Sequence, residues 1–390
     1  MPGASGGHEV TLLSDEYVHV GGKRMRRGFT SGTAAALAAR AACEVLLGGQ
    51  PPAAVRLLTP AGVEVEAAVE TCEQGAGWAA CGVRKDGGDD VDATDGLLIV
   101  ARVAHCDEPG ISIEGGEGVG RVTLPGLDQP PGAAAINSGP RMMIREQLEQ
   151  VSAAHGFCGG LAVEVSVPQG REKATRTFNP QLGIQEGISI LGTSGIVEPR
   201  SLQALQASLE VEVRQKAALG EKRLLVVPGN YGEAFSERLP ELASAPRVSC
   251  ANFIGFTLDC AVQHGFEQVL LVGHLGKLVK VAGAIMDTHS RTADCRREIF
   301  TAHAAVAGAS QQTCQQLMAA ATSDACLDIL EGCGLLEEVV TSLAGAIEAH
   351  LAHRVQGACQ TGAVFFTNTR GMLAVTQGAE RILASWKEQM

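Results

Sequence analysis

Two apolar runs, Leu224-Leu225-Val226-Val227 and Val269-Leu270-Leu271-Val272, constrain the fold more than any other feature of the chain. Each is short, unbroken and followed by a glycine turn: Pro228-Gly229-Asn230-Tyr231-Gly232 after the first, Gly273-His274-Leu275-Gly276-Lys277 after the second. Strands covered on both faces read this way, whereas a half-exposed strand alternates. Helical stretches lie at Leu202 to Leu219, Ala251 to His264 and Lys277 to Met286. Strands alternating with helices predict a parallel α/β layer with ligand sites at the strand C-termini. Helices then dominate from Thr292 to Arg354, before a hairpin over Val364 to Thr376 and a last helix from Ala379.

The first half has a different texture. Residues 1–22 are glycine-rich and predict a flexible lead-in, with order beginning near Arg24. Thr30-Ser31-Gly32-Thr33 precedes the Ala/Leu-rich stretch Ala34 to Leu47, and Gly48-Gly49 closes it, which predicts a helix. Short β-rich runs follow at Val55 to Leu58, Val63 to Val69, Trp78 to Val83, Leu97 to Val103 and Leu161 to Val167, with a helix from Asn137-Ser138 to Ala154. The expected architecture is α/β: a lead-in over 1–22, an α+β domain over 23–200, and a Rossmann-like α/β domain over 201–390 with C-terminal helices and a hairpin.

Net charge is −12, which argues against broad nucleic-acid binding. No window is apolar enough for a membrane span and Met1 to Glu16 lacks a secretory pattern, so a cytoplasmic location is expected. The 12 cysteines contain no Cys-x-x-Cys and are expected as reduced, mostly buried thiols.

Glycine after a buried strand lets backbone N–H groups approach a ligand, so the two strand exits are candidate walls of one nucleotide-type crevice. Ordinary tight turns look the same locally. Neither exit fits a dinucleotide or P-loop fingerprint, and Gly75-Ala76-Gly77 opens no helix. Lys277, Lys280 and Ala284 fall on one helical face, and Thr288-His289-Ser290-Arg291 follows; this cationic cluster suits carboxylates. The loop Lys85 to Gly96 invites a calcium reading but lacks the turn glycine and closing glutamate, leaving aspartate caps or a substrate-facing loop.

The motif set goes further. Arg27-Gly28-Phe29-Thr30-Ser31-Gly32-Thr33, Lys85-Asp86-Gly87-Gly88-Asp89-Asp90, Gly116-Glu117-Gly118-Val119-Gly120, Ala135-Ile136-Asn137 and Pro140-Arg141-Met142-Met143-Ile144 together resemble the cobalt-precorrin-5B C1-methyltransferase family. So do Gly187 to Pro199, Gly229-Asn230-Tyr231-Gly232, Asn252-Phe253-Ile254-Gly255-Phe256, and Gly273 through Arg291. The chain departs from the family at Val91, Ala93 and Asp95, where Pro, Val and His are usual, so a role for that His is not carried over.

The resemblance implies methyl transfer from S-adenosyl-L-methionine to ring carbon C1 of a carboxylated tetrapyrrole that brings its own cobalt, giving cobalt-precorrin-6A in corrin-ring construction. That the cobalt comes with the substrate agrees with the lack of a metal-ligand spacing in the chain; the acidic charge and the missing apolar span lead to no nucleic-acid or membrane partner being expected, and a homo-oligomer is left open. On this reading Gly192, Thr193, Ser194, Gly229, Asn230, Gly232 and Gly273 contact the cofactor. Thr30, Ser31, Thr33, Arg141, Lys277, Lys280, Ser290 and Arg291 contact the substrate, and His274 and His289 are the catalytic candidates. A non-catalytic tetrapyrrole carrier and a nucleotide-dependent oxidoreductase are the competing functions.

Overall fold

The computed structural model describes residues 11–13, 16–237 and 240–388. They form two compact units that divide between Leu202 and Gln203.

The first unit is built on strands β1 (Thr11–Leu12), β2 (Tyr17–Val20), β3 (Lys23–Arg26), β4 (Gly28–Phe29), β5 (Ala54–Leu58), β6 (Val63–Gly75), β7 (Trp78–Arg84), β8 (Leu98–Cys106), β9 (Ile111–Gly115), β10 (Arg121–Val122), β11 (Gly160–Ser166), β12 (Ile184–Gln185) and β13 (Ile196–Val197). Its helices are α1 (Ser31–Gly48), α2 (Ser138–Ala154) and α3 (Gly170–Ala174). The main sheet runs β1-β6-β7-β8-β11-β9, with β5 beside β6. Of the expected lead-in, residues 1–10, 14 and 15 lie outside the described residues; from Tyr17 on it is corrected, since β2 and β3 pair in register across Gly21-Gly22 and the Arg24 guanidinium lies 3.8 Å over the Tyr17 ring. Each strand is only four residues long and neither buries a residue fully, so the Val18/Val20 alternation is too short to stand out from a glycine-rich composition.

Helix α1 forms where small apolar residues crowd together. Ala34 to Ala39, Ala41, Ala42 and Cys43 are all fully buried, so the helix is covered on nearly every side. Thr30 caps its start by accepting from the Thr33 N–H, and Gly49 ends it in the left-handed region at φ 80°. β6 continues to Gly75, six residues past the expected end, because its pairing with β7 persists to Gly75↔Trp78 after the apolar alternation stops. Gly75-Ala76-Gly77 therefore makes a hairpin turn.

The aspartates of the 85–96 loop cap and pair locally. Asp86 forks onto Arg26, Asp89 accepts from the Arg26 N–H, Asp92 holds the buried Lys85 ammonium at 2.6 Å, and Asp95 accepts from the Gly87 N–H at 2.6 Å. Asp90 accepts from the Arg200 N–H.

The second unit comprises α4 (Leu202–Ala218), β14 (Arg223–Val227), α5 (Asn230–Ser236), α6 (Pro240–Ala243), β15 (Arg247–Ser249), α7 (Ile254–Gln263), β16 (Gln268–His274), α8 (Leu275–Ala282), α9 (Arg296–Val306), α10 (Gln311–Ala319), α11 (Ser323–Gly332), α12 (Leu336–Val355), β17 (Gln360–Thr367), β18 (Gly371–Val375) and α13 (Gln377–Lys387). The sheet order is β15-β14-β16-β17-β18, parallel throughout except for the β17/β18 hairpin. This is a doubly wound α/β sheet in the 2-1-3-4-5 order, whose direction of winding reverses between β14 and β16.

Both faces of the sheet are buried. Leu224, Val226, Val269, Leu271, Ala363 and Phe365 belong to one apolar cluster, with α7, α8, α9 and α12. The intervening Leu225, Val227, Leu270, Val272, Val364 and Phe366 belong to another, with Ile382 and Trp386 of α13. Alternate residues thus enter opposite cores, which is why these strands read as continuous apolar runs.

All 12 cysteines are free, but only Cys43, Cys81, Cys250, Cys260, Cys326 and Cys359 are buried. The expectation of mostly buried thiols holds for half of them; Cys295 and Cys333 are exposed at the ends of α9 and α11, and Cys158 is exposed in the segment before β11.

Candidate functional site

In open α/β sheets, ligands sit outside the strand C-termini where the winding reverses. Here that point lies between the exits of β14 and β16. Gly229, just past β14, has φ 93° and ψ 173°, a conformation open to glycine and strained for other residues. A side chain there would begin 3.3 Å from the Lys277 ammonium, which reaches back from the first turn of α8. Lys277 Nζ donates to the Ala251 carbonyl at 2.9 Å. Ala251 follows β15 and sits at φ 50°, so three strand exits converge on one half-buried ammonium. Burial pushes the Lys277 pKa down from 10.5.

Asn230 and Tyr231 open α5 on the exposed side of this point; Tyr231 is 66% exposed. Its ring centroid stands 6.2 Å from that of His274, which also meets Phe366 edge-on at 5.7 Å. His274 is the N-cap of α8: its Nδ1 accepts from the Gly276 N–H at 3.0 Å, leaving the proton on Nε2. Burial lowers its pKa below 6.5, so the ring is neutral at pH 7.

Gly232 and Gly273 line no open space. A Cβ on Gly232 would stand 2.7 Å from the Val272 carbonyl oxygen, and one on Gly273 would stand 2.4 Å from Leu278 Cδ1. Both are buried and let strand and helix pack closely.

The loop after α8 returns to the same exits. Thr288 N–H donates to the Asn252 carbonyl, and Phe253 pairs with Asp287. Asp287 accepts from the His289 N–H and from Thr292 Oγ1, while His289 Nδ1 accepts from the Arg291 N–H at 3.1 Å. Ser290 and Arg291 are exposed.

Helix α8 differs from expectation at both ends. It starts at Leu275 under the His274 cap and stops at Ala282, and Ala284 lies beyond it at φ 61°, off the Lys277 face. Lys280 is 3% exposed, its ammonium donating to the carbonyls of Thr288 at 3.0 Å and Ala293 at 2.8 Å. As a substrate contact Lys280 is corrected: it tethers the loop.

In the first unit, the segment 189–196 lies along the start of α1. Ser31 Oγ accepts from the Leu191 N–H at 2.9 Å, and Thr33 Oγ1 donates to the Gly195 carbonyl at 2.7 Å. Thr30 caps α1, and a Cβ on Gly192 would fall 2.1 Å from its Oγ1. Thr30, Ser31 and Thr33 thus join two chain segments, with Ser31 and Thr33 buried. Arg141 is likewise spent internally, on the carbonyls of Ile136 and Ile113 at 2.8 Å each. These four are corrected as substrate contacts for that physical reason. Thr193 and Ser194 are exposed, Ser194 closing a local turn onto Ile196.

A family model described as "CbiD" matches residues 18–199, and one described as "CbiD, C-terminal domain" matches residues 287–377. The chain belongs to the CbiD family. Relatives named cobalt-precorrin-5B C(1)-methyltransferase include one from Ruminiclostridium cellulolyticum, 43% identical over 91% of this chain and 92% of its own. One from Alkaliphilus metalliredigens is 39% identical over 96% of this chain and 98% of its own. A crystal structure of the cobalamin biosynthesis protein CbiD from Archaeoglobus fulgidus is 30% identical and covers 72% of this chain and 88% of that one, with a TM-score of 0.39.

Two features of this CbiD chain escaped sequence reasoning. Ala251 in the left-handed region has no local signal, since alanine there is disfavoured. Tyr231 carries a legible cue, an aromatic two residues after a strand-exit glycine, but its 66% exposure is visible only in the structure. Among the described residues no group of three or more His, Cys, Asp or Glu is placed to hold a metal, and no helix is long and apolar enough to cross a membrane.

Proposed function

We propose that the protein transfers the methyl group of S-adenosyl-L-methionine to ring carbon C1 of cobalt-precorrin-5B, giving cobalt-precorrin-6A, a step of corrin-ring construction. The observation that carries this reading is the likeness, over 91% of the chain, to a relative named for that reaction. The methyl donor is assigned to the crevice at the exits of β14, β15 and β16.

The residues there fit such a donor. Gly229 leaves an open cradle that a Cβ would fill, Lys277 supplies an ammonium for a carboxylate, and exposed Asn230 offers both a donor and an acceptor. Tyr231 presents an aromatic face for a flat ring or a cation. When bound, the donor supplies an electrophilic methyl on a sulfonium; cobalt enters as part of the tetrapyrrole.

The protein's own contribution is alignment. Holding two reactants in attack geometry supplies roughly 7–11 kcal/mol of barrier lowering. Lys277 is pinned to Ala251 and α8 is capped by His274, so the groups lining the crevice hang on a rigid sheet edge. His274 is a positioning residue: its Nδ1 is engaged and its ring neutral, leaving Nε2–H as a donor toward a polar atom of either reactant.

The test is mass spectrometry of the intact protein incubated with S-adenosyl-L-methionine and cobalt-precorrin-5B. A tetrapyrrole heavier by one methylene, with matching S-adenosylhomocysteine, is expected. A bound but unchanged tetrapyrrole overturns the reading in favour of a carrier.

A further inference from the structure

A cavity of about 410 Å³ opens beside the starts of α9 and α11, lined among others by Asp294, Arg296, Arg297, Thr322, Ser323 and Cys326. Three independent features give it anion-binding character. The first is the N-terminus of the ten-residue α11, where Thr322 Oγ1 caps the Ala325 N–H and the N–H groups of Ser323 and Asp324 precede the first intrahelical bond. The second is Ser323 itself: it is 5% exposed, lines the cavity, and its Oγ has no hydrogen-bond partner among the described residues. A buried hydroxyl without a partner is costly, and turning the side chain about its Cα–Cβ bond to meet an acceptor atom in the cavity removes that cost.

The third is charge. Two guanidiniums line the cavity against one carboxylate. Arg296 is forked onto Asp294 at 2.5 and 2.8 Å, which neutralises that carboxylate, while exposed Arg297 has no hydrogen-bond or ion-pair partner among the described residues. Both guanidiniums favour the thiolate of Cys326, whose pKa burial nonetheless pushes up to about 11, so their field reaches the cavity lining.

The cavity adjoins the crevice. Ser323 Oγ lies 3.8 Å from where a Cβ of Gly276 would stand, and the Gly276 N–H is the one that His274 accepts. Asp324 does not line the cavity; its carboxylate accepts from Thr369 Oγ1 at 3.0 Å and lies close enough to His274 to favour the protonated ring.

We propose that this cavity is a subsite for one carboxylate arm of the tetrapyrrole, held by Arg297, Ser323 Oγ and the first N–H groups of α11 while the macrocycle lies over the strand exits. The planar guanidinium matches two carboxylate oxygens, and the hydroxyl completes the set. The assignment rests on the tetrapyrrole reading of the preceding section and adds where one of its carboxylates binds.

The experiment titrates the full chain with a cobalt corrin bearing free carboxylates and with the same corrin fully esterified, following the visible absorption of the corrin. S-adenosylhomocysteine binding is measured in parallel. Arg297→Gln is expected to weaken the free acid about tenfold, Ser323→Ala about threefold, and neither to change binding of the ester or of S-adenosylhomocysteine. Without corrin, Ser323→Ala keeps or raises the Tm, because it removes an unpartnered buried hydroxyl; with the free acid it gains less Tm than wild type. Variants that bind the free acid as tightly as wild type overturn the subsite even where methyl transfer is demonstrated. Failure of methyl transfer with the Arg297 effect intact overturns the reaction and leaves the carboxylate site standing. A wild type that does not bind the free acid overturns the subsite outright.

Discussion

The Lys277 ammonium donates to the Ala251 carbonyl at 2.9 Å, tying the first turn of one helix to the exit of a strand two places away in the sheet. Ala251 stands at φ 50°, and that left-handed turn belongs to the segment between β15 and α7. One hydrogen bond thus holds a half-buried positive charge at the point where the winding of the sheet reverses.

Removing that charge is expected to weaken binding of the proposed methyl donor. Lys277→Gln is expected to raise the Kd for S-adenosylhomocysteine about 10- to 100-fold by calorimetry, since hydrogen bonds to charged groups contribute about 1.5–3 kcal/mol. The fold is expected to persist, because glutamine can still donate to Ala251.

The same lysine sets an alkaline limit. Burial holds its pKa below 10.5, the protonated form is the one that takes a carboxylate, and affinity is therefore full below the lowered pKa and lost as pH rises through it. Binding measured across the alkaline range should fall earlier than an ordinary lysine would dictate. Lys277→Arg should remove the fall, because a guanidinium stays charged.

His274 is expected to act through helix capping. His274→Ala should cost about 1 kcal/mol in denaturant unfolding, while His274→Asn, which keeps an acceptor at the cap, should recover most of it. The folded-state pKa lies below 6.5, so the unfolded chain takes the proton first. Stability is therefore complete above pH 6.5 and declines as pH falls from there toward the lowered pKa. A Tm that drops less steeply over that window in His274→Asn than in wild type confirms the sign.

Lys280 lies on the same helix as Lys277 but is a structural cation, buried and tied to the loop beyond the helix. Lys280→Met leaves the carbonyls of Thr288 and Ala293 without this donor, and should lower unfolding stability by about 2–3 kcal/mol. Corrin binding would then weaken only through loosening of the 288–293 loop, and hydrogen exchange of that loop should rise.

Much of this was legible in the chain because the physics was local. β14 and β16 are buried on both faces, so unbroken apolar runs and terminal glycines marked both strands and the crevice at their ends. Helix α1 was legible from alanine content, a hydroxyl cap and a closing glycine. β15 escaped because three residues, Arg247–Ser249, carry no period. The β2/β3 hairpin escaped because its strands are four residues each and only one cross-strand pair, Val18 with Met25, is apolar on both sides.

The site residues divide along the same line. Gly229 and Lys277 are sequence-visible as a strand exit and a cation on the following helix; Lys277 is expected there on a substrate carboxylate, and it is proposed instead for the methyl donor because its ammonium lies 3.3 Å from where a Cβ of Gly229 would stand. Thr30, Ser31, Thr33 and Arg141 carry the right chemistry but spend it on backbone groups such as the carbonyls of Gly195 and Ile113 and the N–H of Leu191. Only the packing of segment 189–196 along α1 reveals that. Lys280 looked equivalent to Lys277 three residues earlier, yet one amine reaches the β15 exit and the other is buried in the loop beyond the helix.

The central claim is that the methyl donor occupies the crevice formed by the exits of β14, β15 and β16. The most direct measurement is a crystal structure of the protein with S-adenosylhomocysteine. The account predicts density over Gly229, with the ligand carboxylate on Lys277 and its polar groups in reach of Asn230. Density elsewhere, for instance along Gly192-Thr193-Ser194 with the Gly229 crevice empty, would contradict it.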